Sequence, residues 1–172
     1  MECGDRSNEE LSTLRMTAEE RKEAKKKLEL AYGILAGLPG VPCVFYGDEA
    51  GSEGYRDPFC RRPFPWKNIE KDLLSFYREI GRIRREEKVF RNGLFKLLSL
   101  TEEHIVYIRE PFDNDASPVL VAAVRKGELK LTLGNDAKVL FGRTHVGGEA
   151  VLGEGDVAYY RLQSPVSSEI IR

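Results

Sequence analysis

Apolar positions along this chain fall into two textures: helical spacing up to about residue 90, and short runs punctuated by turn residues from Asn92 onward. "TAEE" at 17–20 is a capping-box pattern, in which the Thr17 hydroxyl and the Glu20 carboxylate satisfy each other's free backbone donors, so a helix is predicted to begin there. Its first turns, "ERKEAKKKLE", are almost wholly charged. Further on, Leu28, Ala31 and Leu35 form one helical stripe and Leu30, Ile34 and Leu38 another, so the far end is apolar nearly all round and expects burial. Pro39 and Gly40 stop the helix. "VPCVFY" at 41–46 is too short for a helix and shows no polar alternation, which predicts a strand covered on both faces, as in a parallel sheet. "KDLLSFYREIGRIRREEKVF" then sets Leu73, Phe76, Tyr77, Ile80 and Ile83 on one face of a second amphipathic helix, despite Gly81. Helix, strand, helix is the order of an α/β repeat.

Beyond Asn92, "LFKLLSL", "HIVYIRE", "PVLVAAVR", "ELKLTL", "AKVLF" and "DVAYYRL" are separated by turn chemistry at "NG", "DND", "KG", "GND", "GG" and "GEG". This spacing predicts an antiparallel sheet or sandwich. In "ELKLTL", Leu129, Leu131 and Leu133 alternate with Lys130 and Thr132, which specifies one buried and one wet face. The domain boundary is expected near residues 90–93, giving units of 1–92 and 93–172, with the tail "SPVSSEIIR" read as frayed.

Composition narrows the classes. The 172 residues carry 27 basic and 28 acidic side chains, without the basic excess of a nucleic-acid binder. No apolar run approaches the ~20 residues that span a bilayer, and the opening "MECGDRSNEE" lacks the order of a signal peptide. The expectations are no nucleic-acid partner, no membrane, and by default a cytoplasmic chain. Cys3, Cys43 and Cys60 have no C-x-x-C spacing and read as reduced thiols, with no disulfide framework and no zinc site. The basic run "RIRREEK" is interleaved by Glu86 and Glu87 and reads as a solvated helix end.

The candidate chemistry lies between the two helices. Asp48 and Glu49 follow the predicted strand at the end of a sheet where α/β folds collect active-site groups. Adjacent strand residues point to opposite faces, so they do not easily flank one bond as paired acids; one of them bonding loop amides or an arginine is the simpler reading. Asp57 and Arg61, four apart in "RDPFCR" and stiffened by Pro58, Pro63 and Pro65, would make a clamp for adjacent sugar hydroxyls, one accepting and the other donating. They would equally make an internal ion pair. Trp66 reads as a packing residue before a sugar platform, and Phe45 and Tyr46 as core first and site second.

"GLPGVPCVFYGDEAG" followed by "GYRDPFCRRPFPW" resembles the eighth barrel strand and following loop of the α-amylase family of glycoside hydrolases, nearest its neopullulanase, cyclomaltodextrinase and amylopullulanase branch. Gly40, Pro42, Gly47 and Glu49 fall where that motif has Gly, Pro, Gly and Glu. The similarity runs on through "LLSFYREIGRIRREEKVFRNGLFKLL", which resembles the last barrel helix and the entry to the family's C-terminal sandwich. The resemblance implies an α+β fragment: the last helix, strand and helix of a (β/α)8 barrel followed by an antiparallel β-sandwich. It places Asp57 and Arg61 where a loop Asp and Arg contact a donor-side glucose of an α-glucan, and makes Gly47 and Glu49 strand-end scaffold.

The family cleaves α-glucosidic bonds with retention, which requires a nucleophilic and an acid/base carboxyl group about 5 Å apart. These residues come from strands four, five and seven, and the strand-seven signature pairs His with Asp. The histidines here, His104 and His145, are followed by Ile and Val. The expectation is therefore no catalytic residue, no metal site and no cofactor in this chain. Its partners would be an α-glucan in the intact parent enzyme, whose signal peptide, if it has one, would lie upstream, and either the missing barrel half or a second copy of itself. A non-catalytic carbohydrate-binding or interaction module is the rival reading.

Overall fold

The computed structural model describes residues 6–112, 116–163 and 171, and this range holds four α-helices and seven β-strands. Helix α2 (Ala18–Gly37) starts as the capping box predicts: Glu20 N–H donates to Thr17 Oγ1 at 3.2 Å, and Thr17 N–H donates to Glu20 Oε2 at 2.9 Å. The same device, Ser7 with Glu10, starts a short helix α1 (Asn8–Thr13) that the sequence reading passes over. It has one buried apolar residue, Leu11, and hence no periodicity to detect.

Helix α3 (Lys71–Glu86) buries Leu73, Phe76, Tyr77, Ile80 and Ile83, the face its spacing predicts. A single turn, α4 (Val89–Asn92), leads into the strands. These are β1 (Leu94–Leu100), β2 (His104–Glu110), β3 (Val119–Val124), β4 (Glu128–Thr132), β5 (Lys138–Phe141), β6 (Glu149–Gly153) and β7 (Val157–Arg161). All pairings are antiparallel, in a five-stranded sheet of order β1-β2-β3-β7-β5 and a two-stranded sheet of β4 and β6. The sequence reading names the glycine turns on either side of β6 but not the strand. The "DND" turn falls on residues 113–115, and the tail expected to fray falls on 164–170 and 172; both lie outside the described residues.

The large sheet separates two cores. Leu120, Ala122 and Val124 face the small sheet with Leu129, Leu131, Ala150 and Leu152. Val119, Val121 and Ala123, the alternate positions of the same strand, face the helices with Ala36, Leu73, Phe76 and Ile80. Burial of β3 on both faces explains why "VLVAAV" has no polar position.

Helix α2 lies close on the large sheet because glycines face it. A Cβ on Gly37 would fall 2.1 Å from the Tyr107 hydroxyl, and one on Gly33 would fall 2.8 Å from Val157 Cγ2. In the space this leaves, Tyr107 donates to the carbonyl of Ile34 at 2.7 Å and Tyr159 donates to that of Gly33. Two arginines satisfy the carbonyls at the end of the helix, where cations are favoured. Arg84 donates to Ala36, Leu38 and Gly40, and the buried Arg109 donates to Gly37.

The predicted strand at 41–46 is not one. The segment is irregular and pairs with no strand, with Val41 94% and Phe45 55% exposed, and Tyr46 is exposed as well. A strand exists by its ladder, and the strands among the described residues all lie between 94 and 161 and pair with one another. The apolar character that predicted a covered strand is real; within the described residues no strand lies alongside to pair with it.

Candidate functional site

The loop from Gly47 to Glu70 is built on two glycines that adopt left-handed backbone. Gly47 (φ 94°) and Gly51 (φ 72°) bracket a 3-10 turn, Asp48–Ala50, and a Cβ on Gly51 would meet Glu70 Cγ at 2.5 Å. Glu49 turns back to accept from Gly47 N–H at 2.9 Å, the loop-amide role expected of one of the two acids. Asp48 instead lines a cleft of about 340 Å3 with Phe45, Tyr46, Tyr55, Cys60 and Arg62. Burial, then the neighbouring Glu49, pushes its carboxyl above the usual range. The adjacent acids thus have separate tasks.

An ion-pair network that the sequence did not announce ties the loop to the helices. Arg21 on α2 donates to Glu53 at 2.6 Å, to Glu70 at 2.7 Å and to the carbonyl of Gly51 at 2.9 Å. Lys25, one turn on, reaches Glu70 at 3.1 Å and also pairs with Asp72. Arg21 and then Lys25 hold the Glu70 carboxyl below its ordinary value. Arg21 and Lys25 are four apart and so share a helix face, a spacing visible in "RKEAK"; their partners, some 30 to 49 residues away, are not.

The segment from Asp57 to Trp66 carries the predicted site pair. Arg61 Nε donates to Asp57 Oδ1 at 3.0 Å across a short 3-10 turn, with both side chains largely in solvent. The Cys60 thiol, then Arg61, lower the Asp57 carboxyl from its usual range. The two residues are brought together, and the geometry is that of an exposed ion pair. The next residue behaves differently. Arg62 turns inward, 5.8 Å from the Tyr55 ring centre and 5.7 Å from that of Phe59, and donates to the carbonyl of Leu11 at 3.2 Å. Its own carbonyl accepts from Tyr46. The sequence reading left Arg62 without a role.

Trp66 is not a packing residue. It is 80% exposed and touches Phe64, with ring centres 4.6 Å apart and planes at 51°. Phe45 and Tyr46, also read as core first, are exposed for the reason given above for 41–46.

Both histidines lie in the strand region, as their sequence context implies. His104 Nε2 is 2.9 Å from Ser99 Oγ, and His145 Nε2 is 2.6 Å from the carbonyl of Ala137. Among the described residues no group of three His, Cys, Asp or Glu could hold a metal ion, Cys43 and Cys60 are free thiols, and no helix is long and apolar enough to cross a membrane.

No protein-family model matches the chain. Individual proteins do. An amylopullulanase of Thermoanaerobacter thermohydrosulfuricus is 33% identical over 114 residues, 62% of this chain and 8% of that protein. A cyclomaltodextrinase of a Bacillus species is 37% identical over 101 residues, 56% of this chain and 18% of its own. Neopullulanase 2 of Thermoactinomyces vulgaris is 47% identical over 64 residues, 36% of this chain and 11% of its own. Among solved structures, the cyclic α-maltosyl-(1→6)-maltose hydrolase of Arthrobacter globiformis, in complex with cyclic α-maltosyl-(1→6)-maltose, superimposes with a TM-score of 0.65 at 25% identity, over 79% of this chain and 30% of that one. The α-amylase of Geobacillus thermoleovorans shares the fold, with a TM-score of 0.66 at 22% identity over 83% of this chain and 34% of that one. The chain thus spans less than a fifth of these curated relatives and about a third of the solved chains. An antiparallel, sheet-rich α+β unit with these relatives is a homologue of a C-terminal part of the α-amylase-family glycoside hydrolases, among them the amylopullulanases, cyclomaltodextrinases and neopullulanases.

Proposed function

We propose that this chain is the C-terminal portion of an α-glucan-cleaving glycosidase of the retaining α-amylase type and is non-catalytic by itself. Residues 1–92 are the closing part of a (β/α)8 barrel: α2, the segment 41–46, which would become its last strand once neighbouring strands pair with it, and α3. Residues 93–172 are the C-terminal β-sandwich. Asp57 and Arg61 contact a glucose unit of the glucan, the carboxylate accepting from one hydroxyl and the guanidinium donating to its neighbour. The observation that carries this reading is the bare, apolar, unpaired segment 41–46, which has the composition of a doubly covered strand and leads directly into the glycine-bracketed acidic loop. Barrel strands on either side of it would supply its ladders, and strands four, five and seven of the same barrel the catalytic carboxylates.

Purified away from any host amylase, the chain is expected to release no reducing sugar from pullulan, starch or cyclodextrin. Turnover proportional to its concentration overturns the non-catalytic assignment. The same bare segment predicts association, either with the remainder of a barrel or with a second copy, because each Å2 of apolar surface covered contributes roughly 25 cal/mol. Light scattering down to micromolar concentration, with a monomer that binds no hydrophobic dye, counts against it.

A second reading is favoured by one specific observation. Helices α2 and α3 share a core with the large sheet through Ala36, Leu73, Tyr107, Val121 and Tyr159. The helices are thereby anchored without any further element, as a self-contained carbohydrate-binding or interaction module requires. Calorimetric binding of maltooligosaccharides by a stable monomer lacking activity would support this module.

A further inference from the structure

We propose that Trp66 is a stacking platform for a pyranose ring of an α-glucan, flanking the Asp57–Arg61 pair on the same loop. The inference rests on the glucan reading above and adds to it an aromatic contact. Tryptophan is on average among the well-buried side chains, yet Trp66 is 80% exposed. It is not loosely held. Phe64 supports the indole from one side, the main-chain N–H of Trp66 donates to the Phe64 carbonyl at 2.9 Å, and the main-chain N–H of Asn68 donates to the Pro65 carbonyl at 2.8 Å. Pro63 and Pro65 fix φ on the approach to it. The main chain that carries the indole is thus fixed, and most of the ring surface lies in water.

The surroundings select the occupant. Arg61, Lys67 and Asn68, near it in the chain, are exposed, so apart from Phe64 the indole is flanked in sequence by polar groups more than by the continuous apolar face that protein partners cover. A pyranose suits that mixture. The C–H groups of one ring face pack on the electron-rich indole face, while the hydroxyls at the ring edge meet donors and acceptors nearby. Asp57 and Arg61 supply one acceptor and one donor set, both exposed. Trp66 lies five positions after Arg61, a span of at most about 18 Å when extended, which an oligosaccharide of a few units can bridge.

Trp66 is the single tryptophan of the chain, so its emission reports this site alone. The test titrates the chain with maltotetraose, and with cellotetraose as the β-linked control, following tryptophan fluorescence and binding heat in parallel. Expected are a saturable change of emission with maltotetraose, a roughly three- to tenfold loss of calorimetric affinity in Trp66→Ala, and retention within about twofold in Trp66→Phe, which keeps a ring face. Binding heat with unchanged emission and wild-type affinity in Trp66→Ala overturns the platform and leaves the glucan reading standing. No heat with any α-glucan overturns both. An equal response to cellotetraose overturns the α-linked assignment. An emission shift that follows protein concentration without sugar makes Trp66 a contact between copies and overturns the proposal.

Discussion

The buried guanidinium of Arg109 on β2 donates to the carbonyl of Gly37, 72 residues earlier, at 3.0 Å, and so joins the end of α2 to the sheet. The same group reaches the carbonyls of Gly93 at 2.8 Å and Leu94 at 3.2 Å, where α4 gives way to β1. One cation thus serves the carbonyls of two chain junctions that have no ladder of their own. Replacing it by Leu keeps the bulk and leaves all three acceptors bare. Arg109→Leu is expected to lower stability by about 2–4 kcal/mol, read as a fall in the urea midpoint. A midpoint like that of the wild type would mean that water replaces the guanidinium.

Glycines in the two long helices should respond in opposite directions. At Gly37 an added methyl meets the Tyr107 hydroxyl, which is already committed to Ile34, so Gly37→Ala is expected to cost about 1–3 kcal/mol. At Gly81 on α3 nothing lies within 4 Å of an added Cβ, and Gly81→Ala should stabilise by about 0.5–1 kcal/mol through helix propensity alone. Thermal unfolding of the two variants side by side tests the claim, and equal shifts would refute the tight approach of α2 to the sheet.

Glu70 makes stability fall in acid. Its carboxyl is held below its ordinary value of 4.5 by Arg21 and Lys25, so the folded state favours the ionised form. The contribution is complete above that ordinary value and is lost as pH drops through it toward the lowered folded-state pKa. Glu70→Gln is therefore expected to be less stable than wild type at pH 7 by about 1 kcal/mol, the side chain being partly solvated, and to show a shallower decline below pH 4.5. Denaturation midpoints at pH 7 and pH 3 measure it; parallel pH curves for the two proteins would remove Glu70 from the acid response.

Hydrogen exchange should divide the chain along its cores. Amides of β3 and β7, paired with each other in the middle of the large sheet and buried, are expected to exchange slowest. Those of 41–46, without ladder partners, should exchange within the dead time. Strong protection in "VPCVFY" would indicate that another chain pairs with it in solution.

Much of this protein is local and was legible. The Thr17 and Glu20 capping box, the buried face of α3 and the span of most strands follow from spacing, because helix and strand periodicities are properties of a few consecutive residues. The loop motif was legible too, and with it the resemblance to the α-amylase-type relatives. The tertiary structure decided what depends on distant neighbours. Strand order places β7 between β3 and β5, and so lets Tyr159 reach the backbone of α2. Arg61 and Arg62, adjacent and identical in type, part company because one finds a carboxylate four residues back while the other finds two aromatic rings and the end of α1. "VPCVFY" has the composition of a buried strand and yet lies open, and Trp66 stands in water where its chemistry would suggest a core. Composition records which surroundings a segment suits. A ladder or a covered face exists only where another segment of the fold comes alongside.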